Sequence, residues 1–512
     1  MSETPQKPQK FHKTIFNTTE KSNFILNMTH DQFNKFAGTA LAIGLLFIFV
    51  FSGIAEVIAI NTTSIYATPN SAQSDAIWNE NNVNGFFGSL IFDWRILPTI
   101  GLAIAGLLGA SIFIIAVIKQ TLTKKQLFPC IAIAVMFIFM YISSLKSFSD
   151  VPNYSWFLGY RYGRYEGFLT YMSFMFIFLG GISITDRKAV RKIFDTIVLI
   201  VFFQSIWSIA QIVGVSNFYN KIQLFGMENL KLPSGSTGSP IFLAFFLSVG
   251  LAIACVGAIF DESSKRKTIY QIAVLPASFL LVKTQTLMGM VSASLILICM
   301  IIIALMKKKK SEKFSISPII LLLIGFIGSL IMICINGFKL YDGAIIWQEG
   351  SKRIDAFGKF VNGEIDIRNI SDVYSLLWSK VSAFISDFPM FGLGPEGTVI
   401  PNINFSKSSL ELDIKLDMTV DRPYNDFIFY IATFGIPFGI AFICTLVYSV
   451  ITAIKKTVKF VSGKYGWTNY AAAVCIIVYL FISFINNSVA SVAPFIWLML
   501  GICCASYEKE TK

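Results

Sequence analysis

The sequence predicts an all-α polytopic membrane protein with about twelve transmembrane helices and one large extracytoplasmic loop. Three observations carry this prediction. Hydrophobic residues make up 54% of the 512 and charged residues only 14%, whereas soluble domains carry roughly 25% charged residues. Apolar runs long enough for ~20-residue helices recur along the chain. Lys and Arg collect between alternate runs rather than between all of them.

A polar tail, residues 1–35, precedes the first run at 37–60. Further runs follow at 97–118, 127–145, 167–184, 193–213 and 240–260. A short run at 269–283 ends in Lys283-Thr284-Gln285-Thr286 and reads as a tight re-entering pair with 287–306. The run at 315–337 closes the first block, 36–337, of nine spans. The large loop occupies 338–425, and spans at 426–452, 468–486 and 489–506 form the second block, 426–506, before a tail of 507–512. Inside the large loop, Tyr374, Leu377, Val381, Phe384 and Ile385 have helical spacing, which predicts an amphipathic helix over Val373–Phe388.

Lys119/Lys124/Lys125, Arg187/Lys188/Arg191/Lys192, Lys265/Arg266/Lys267, Lys307 to Lys310 and Lys455/Lys456/Lys459/Lys464 fall on one side of this arrangement. The positive-inside rule makes that side, and both termini, cytoplasmic in the inner membrane. The net charge of +12 is thus a topology signal. Basic residues divided among short loops do not form a nucleic-acid-binding patch. All eight cysteines lie within predicted spans and read as packing residues, not as disulfides. The first run has no cleavage pattern after it and is expected to act as an uncleaved anchor.

Chemistry is expected on the outer side. The two histidines, His12 and His30, are in the N-terminal tail, so no imidazole base and no His-containing metal site is available there. Arg95, Arg161, Arg164, Arg353, Arg368 and Arg422 face outward, and a planar guanidinium suits bidentate binding of diphosphate oxygens. Arg161 and Arg164 lie in Gly159-Tyr160-Arg161-Tyr162-Gly163-Arg164-Tyr165-Glu166-Gly167, which reads either as an anion site or as an interfacial aromatic belt. Arg422 stands beside Tyr424, Asn425 and Asp426 at a span entry, where polar groups are expensive and functional by default. Glu166, Glu396, Asp421 and Asp426 either take a proton from a hydroxyl or pair with Arg164 and Arg422. Ser234-Gly235-Ser236-Thr237-Gly238-Ser239-Pro240 opens the sixth span, either as a helix N-terminal anion site or as a flexible turn.

Six segments taken together resemble the O-antigen ligase / O-antigen polymerase family of bacterial membrane glycan transferases. They are GRYEG at 163–167, GSTGSPIFLA at 235–244, KTQTLMG at 283–289, DFPMFGLGPEG at 387–397, DRPYNDFIFYIATFGIP at 421–437 and SVAPFIWLMLG at 491–501. The resemblance implies a helical bundle like the C-type glycosyltransferases. It implies transfer of glycan from a polyprenyl-diphosphate carrier to a glycan or lipid acceptor, without metal or cofactor, in surface polysaccharide biosynthesis. In that pattern Arg422, Tyr424, Asn425 and Asp426 take catalytic positions. Arg161, Arg164 and Lys283 hold the diphosphate, and Glu166 and Glu396 are possible acid/base groups. Two positions depart from the family: its loop histidine is Tyr424 here, and the arginine of its T-x-S-R-G motif is missing near Lys283. A tyrosine with a pKa of about 10 is a poor base at neutral pH. The alternatives are a lipid-linked sugar transporter or flippase, and a non-catalytic member of a polysaccharide assembly complex.

Overall fold

The computed structural model describes residues 27–62, 96–146, 155–159, 165–215, 232–309, 316–335, 423–458, 465–485 and 488–507. Short pieces between 378 and 415 are also described. Helices dominate: α1 (His30–Thr62), α2 (Leu97–Ile118), α3 (Lys124–Lys146), a single turn α4 (Ser155–Leu158), α5 (Phe168–Ile182), α6 (Arg187–Val213) and α7 (Pro240–Phe260). They continue with α8 (Ser264–Lys283), α9 (Leu287–Lys309), α10 (Ser317–Ile335), α11 (Asp426–Phe434), α12 (Ile436–Val458), α13 (Trp467–Ile482) and α14 (Ala493–Cys504). Two-residue strands β1 (Asn404–Phe405) and β2 (Ile414–Lys415) pair antiparallel in the large loop.

Among the described residues eight helices are long and apolar enough to cross a bilayer, and α5, α13 and α14 are shorter apolar helices. The chain is a multi-pass membrane protein. Its surface agrees: Leu107, Ile131, Ile206, Ile272, Ile302 and Ile331 are all exposed, as lipid-facing positions should be. α7 differs, since 94% of its apolar window is buried. A helix apolar on every side belongs at the centre of a bundle, and α6, α8, α9 and α13 surround it.

Cross-helix contacts divide the bundle into two ends. At one, Asn34 bonds Thr185 and Gln126 donates to the Ile182 carbonyl. Lys456 there donates to the Cys503 carbonyl, and Tyr270 bonds Asp195. Lys119, Lys124, Arg187, Lys188, Arg191 and Arg266 belong to this basic end. At the other, distal end, Thr99 bonds the Tyr165 carbonyl, Gln204 bonds Ser236 and Asp426 bonds Ser488. Arg187 and Lys456 both lie over the Tyr507 ring, which ties the end of α14 to α6 and α12 at the basic end.

Close helix approach depends on small residues, as in other membrane bundles. A Cβ at Gly109 of α2 would strike the Phe176 carbonyl of α5, and one at Gly501 of α14 would strike the Phe178 carbonyl. Aromatic rings fill the wider seams, with Trp497 packed against Phe174, Tyr430 and Phe442.

Three expectations change. The run at 426–452 is not one helix: Gly435 adopts φ +92° and separates α11 from α12, with Pro437 in the first turn of the new helix. Gly435 also lies where a side chain would meet the Met390 carbonyl. The run at 269–283 is the second part of a 20-residue helix that starts at Ser264. Its polar opening, Ser264-Lys265-Arg266-Lys267, hides that start from hydropathy, and α8 runs from the basic to the distal end rather than re-entering. Finally, α1 begins at His30, inside the expected tail, where the His30 ring meets Asn34 and Thr185. Of the amphipathic helix over 373–388, helical turns are described only at 378, 381–383 and 385–387, and the remainder lies outside the described residues. All eight cysteines are free.

Gly109→Val should therefore lower the thermal unfolding midpoint in detergent, by the equivalent of about 1–3 kcal/mol for overpacking. Gly328→Ala in α10, where a Cβ meets nothing within 4 Å, should leave it unchanged or raise it, given a helix-propensity gain of up to ~1 kcal/mol.

Candidate functional site at the distal end

The Asn425-Asp426 pair starts α11 for a local reason. Asn425 is extended and its Oδ1 accepts from the Phe427 and Ile428 amides at 3.0 and 3.1 Å, a side-chain N-cap. Asp426, 1% exposed, is bound on both oxygens. Its Oδ1 accepts from the Ser488 amide at 2.6 Å, and its Oδ2 accepts from the Ser488 and Tyr479 hydroxyls, both at 2.8 Å. The Asp426 amide donates to the Ser483 carbonyl at 2.8 Å. One carboxylate thus fastens α11 to the end of α13 and to the turn that leads into α14. Such charge-assisted bonds are the strong kind.

Glu166 uses the same turn. Its Oε1 accepts from the Ala490 amide at 3.2 Å, two residues beyond Ser488, and the residue is buried. The two carboxylates therefore grip one turn from two directions. Tyr430 is fully buried and within electrostatic reach of both. Its hydroxyl is set against Ser488 and Trp497.

Lys283 ends α8 at the same end of the bundle, but α8 packs on α7 and α10, away from the elements that hold Asp426. The residue is 4% exposed and forms no hydrogen bond or ion pair among the described residues. In the adjoining turn the Thr286 hydroxyl accepts from the Gly289 amide at 2.9 Å, and the buried Gln285 Oε1 has no partner.

Four non-glycine residues have positive φ among those described: Gln120, Tyr165, Gln285 and Tyr424, at +51° to +54°. Gln120 follows a helix end in a tight turn. The other three adjoin Glu166, Lys283 and Asn425-Asp426. Left-handed backbone costs roughly 1–2 kcal/mol for an ordinary L residue, and bulky residues held there cluster at functional sites.

The Ser234–Ser239 loop is neither free nor flexible at its start. Gln211 Oε1 accepts from the Ser234 and Gly235 amides, and Gln204 Oε1 from the Ser236 amide, each at 2.9 Å. Those N–H groups are committed and do not form an open anion site. Arg161, Arg164, Glu396 and Arg422 lie outside the described residues.

Sequence reading passed over Tyr479, Ser488 and Ala490, although Asn486-Asn487-Ser488 interrupts two apolar runs and signals a polar turn. It also passed over Glu56, the one charged residue in the run at 37–60. Chemically, the distal end offers a fixed anion at Asp426, a second carboxylate on the same turn, and a buried cation at Lys283.

Comparison with protein-family models and with curated proteins gives no match for this chain.

Asp426→Ala removes the acceptor of three donors. It should depress the unfolding midpoint by the equivalent of at least about 3 kcal/mol, given 1.5–3 kcal/mol per bond to a charged group. Tyr479→Phe should cost about 1.5–3 kcal/mol and add nothing further in the Asp426→Ala background. Asn425→Ala should cost about 1 kcal/mol, and Asn425→Ser much less, because serine also caps.

Proposed function

We propose that the chain is a membrane glycosyltransferase of the O-antigen ligase or polymerase kind. It moves glycan from a polyprenyl-diphosphate carrier to an acceptor hydroxyl, on a glycan or lipid, at the distal end of the bundle. One observation carries this reading. Three stretches that the sequence marks out, at 165–166, 283–285 and 424–426, lie at the same end of the bundle, each with a left-handed non-glycine residue near a buried charged residue.

Lys283 supports the nature of the donor. Among the described residues Lys283 has no acidic partner, and a diphosphate would supply its counter-charge. Arg161, Arg164 and Arg422 add positive charge next to the same stretches. In the proposed step the acceptor oxygen bonds to the anomeric carbon as that carbon's bond to the phosphate oxygen breaks. The electron pair leaves with the lipid diphosphate, and Lys283 and the arginines neutralise it. The acceptor proton passes to Glu166. Asp426 and Asn425 position the turn and the start of α11, and Tyr424 orients the acceptor.

The alternation of the described helices counts as twelve crossings in this reading, with α11 and α12 together forming one. The basic end faces the cytoplasm of the inner membrane, so both termini are cytoplasmic and transfer takes place on the outer face. Polysaccharide assembly proteins are the natural partners of such an enzyme. A second reading, transport of a lipid-linked sugar, draws on Glu56, since a buried carboxylate in a membrane helix marks many ion-coupled carriers.

The test follows lipid-linked donor and surface glycan in cells carrying Lys283→Ala, Glu166→Gln or Arg422→Ala. At unchanged protein levels, the transferase reading expects donor to accumulate on the outer leaflet and turnover to fall about 100-fold or more. Accumulation on the inner leaflet would establish transport instead. Unaltered donor and glycan in all three variants would remove the transferase reading.

A further inference from the structure

The break between α11 and α12 leaves carbonyls at the end of α11 without partners in their own helix, and two helices measure how deep they lie. Ala432 and Thr433 are six and seven residues past Asp426, about 10 Å along α11 from the distal end. The Thr433 carbonyl also accepts from the Ser143 hydroxyl of α3 at 2.9 Å. Ser143 and Phe139 are three and seven residues short of Lys146, where α3 ends, a distance of about 5–10 Å. With 23 residues, α3 is about 34 Å long, only slightly more than the ~30 Å hydrocarbon core. The break therefore lies below the headgroups.

Residues 388–394, from the stretch expected to be an outer loop, supply what the break lacks. The Leu393 and Gly394 amides donate to the Ala432 and Thr433 carbonyls at 2.9 and 2.7 Å, and the Ile436 amide donates to the Pro389 carbonyl at 2.8 Å. The Gly392 amide closes the turn on the Phe388 carbonyl at 3.0 Å. The Phe391 ring stacks on Phe139, with centroids 5.8 Å apart. Irregular backbone at this depth persists only where protein satisfies it, and here tip and break satisfy each other. Two apolar side chains of the tip are nevertheless open, Phe388 at 40% and Met390 at 53% exposure. The elements that hold the tip carry exposed apolar positions as well, Ile138 and Ile142 on α3 and Ile436 and Ile440 on α12. Asp387 and Glu396 flank the apolar run in the sequence and limit its length.

We propose that Phe388 and Met390 insert among the acyl chains of the leaflet at the distal end, so that the chain enters the membrane once between α10 and α11. The partner is the lipid surface itself. It covers two large apolar side chains that water would otherwise meet, at a depth where the neighbouring helices already face lipid. Hydrogen bonds fasten the tip to the break, and the two side chains fasten it to the bilayer. The approach to Asn425-Asp426 is thereby held close to the membrane. This insertion stands on the geometry of the tip and does not depend on the transferase reading.

The test uses the full-length protein in phospholipid nanodiscs. Cys130, Cys299, Cys334 and Cys444, the cysteines that are not buried, are replaced by alanine, and a nitroxide is attached to Phe388→Cys or Met390→Cys. Leu107→Cys is the lipid-facing reference and Glu262→Cys the aqueous one, both at exposed positions. Power saturation then compares collisions with molecular oxygen, which concentrates in lipid, and with a water-soluble nickel chelate. The expected result is oxygen accessibility several-fold above nickel accessibility at 388 and 390, as at 107, with the reverse at 262. A label at either tip position that meets nickel as freely as at 262 places the tip in water and overturns the proposal. Low accessibility to both reagents overturns it too, because protein would then cover the tip. If the cysteine variants do not fold, 4-benzoylphenylalanine in place of Met390 in the otherwise unaltered chain decides the matter. Photocrosslinking to lipid acyl chains upholds the insertion, and crosslinking only within the chain overturns it.

Discussion

Where a chain leaves a helix within a membrane protein, its backbone amides need acceptors that lipid does not provide. The distal end meets this need with side chains. Gln211 and Gln204 accept from the loop before α7, Asn425 from the first turn of α11, and Thr286 from the start of α9. Asp426 and Glu166 accept from the turn before α14. The polar residues that look functional in the sequence are therefore also what allows irregular backbone to exist at this depth. Glu56 differs, since its buried Oε1 has no donor among the described residues.

The apolar helices were legible in the sequence because their signal is local. Hydropathy over about 20 residues suffices for α2, α7 or α9. It fails for the first turns of α8, where Lys and Arg belong to a helix that continues into the bundle. It fails again at Gly435-Ile436-Pro437, where an apolar stretch conceals a break. The glycine takes a left-handed conformation there, and the Pro389 carbonyl accepts from the Ile436 amide at 2.8 Å, neither of which hydropathy reports.

The site was legible only in part, for a different reason. The sequence marks Asn425-Asp426 as a polar pair at a helix entry, and that much is local. It says nothing of Ser488, 62 residues away, or of Ala490, 324 residues from Glu166. Asp426 reads as a base when its neighbours are Arg422 and Tyr424, and as a clamp once three donors from α13 and the following turn are visible. Tyr424 is similar: its phenol attracts attention in the sequence, whereas its backbone at φ +51° is the unusual feature in the structure.

The bond between Asp426 and Ser488 also sets an order of events during synthesis. The carboxylate leaves the ribosome 62 residues before its principal partner, an interval of roughly 3–12 s at about 5–20 residues per second. For that time α11 lies at the membrane with its anion unclaimed, while the earlier helices already have their neighbours. The seam at the distal end consequently stays open until the turn before α14 is made, and a nascent chain that stalls between α12 and α14 carries an open, charged seam. Such a chain presents quality-control proteases with a mark that the finished protein lacks.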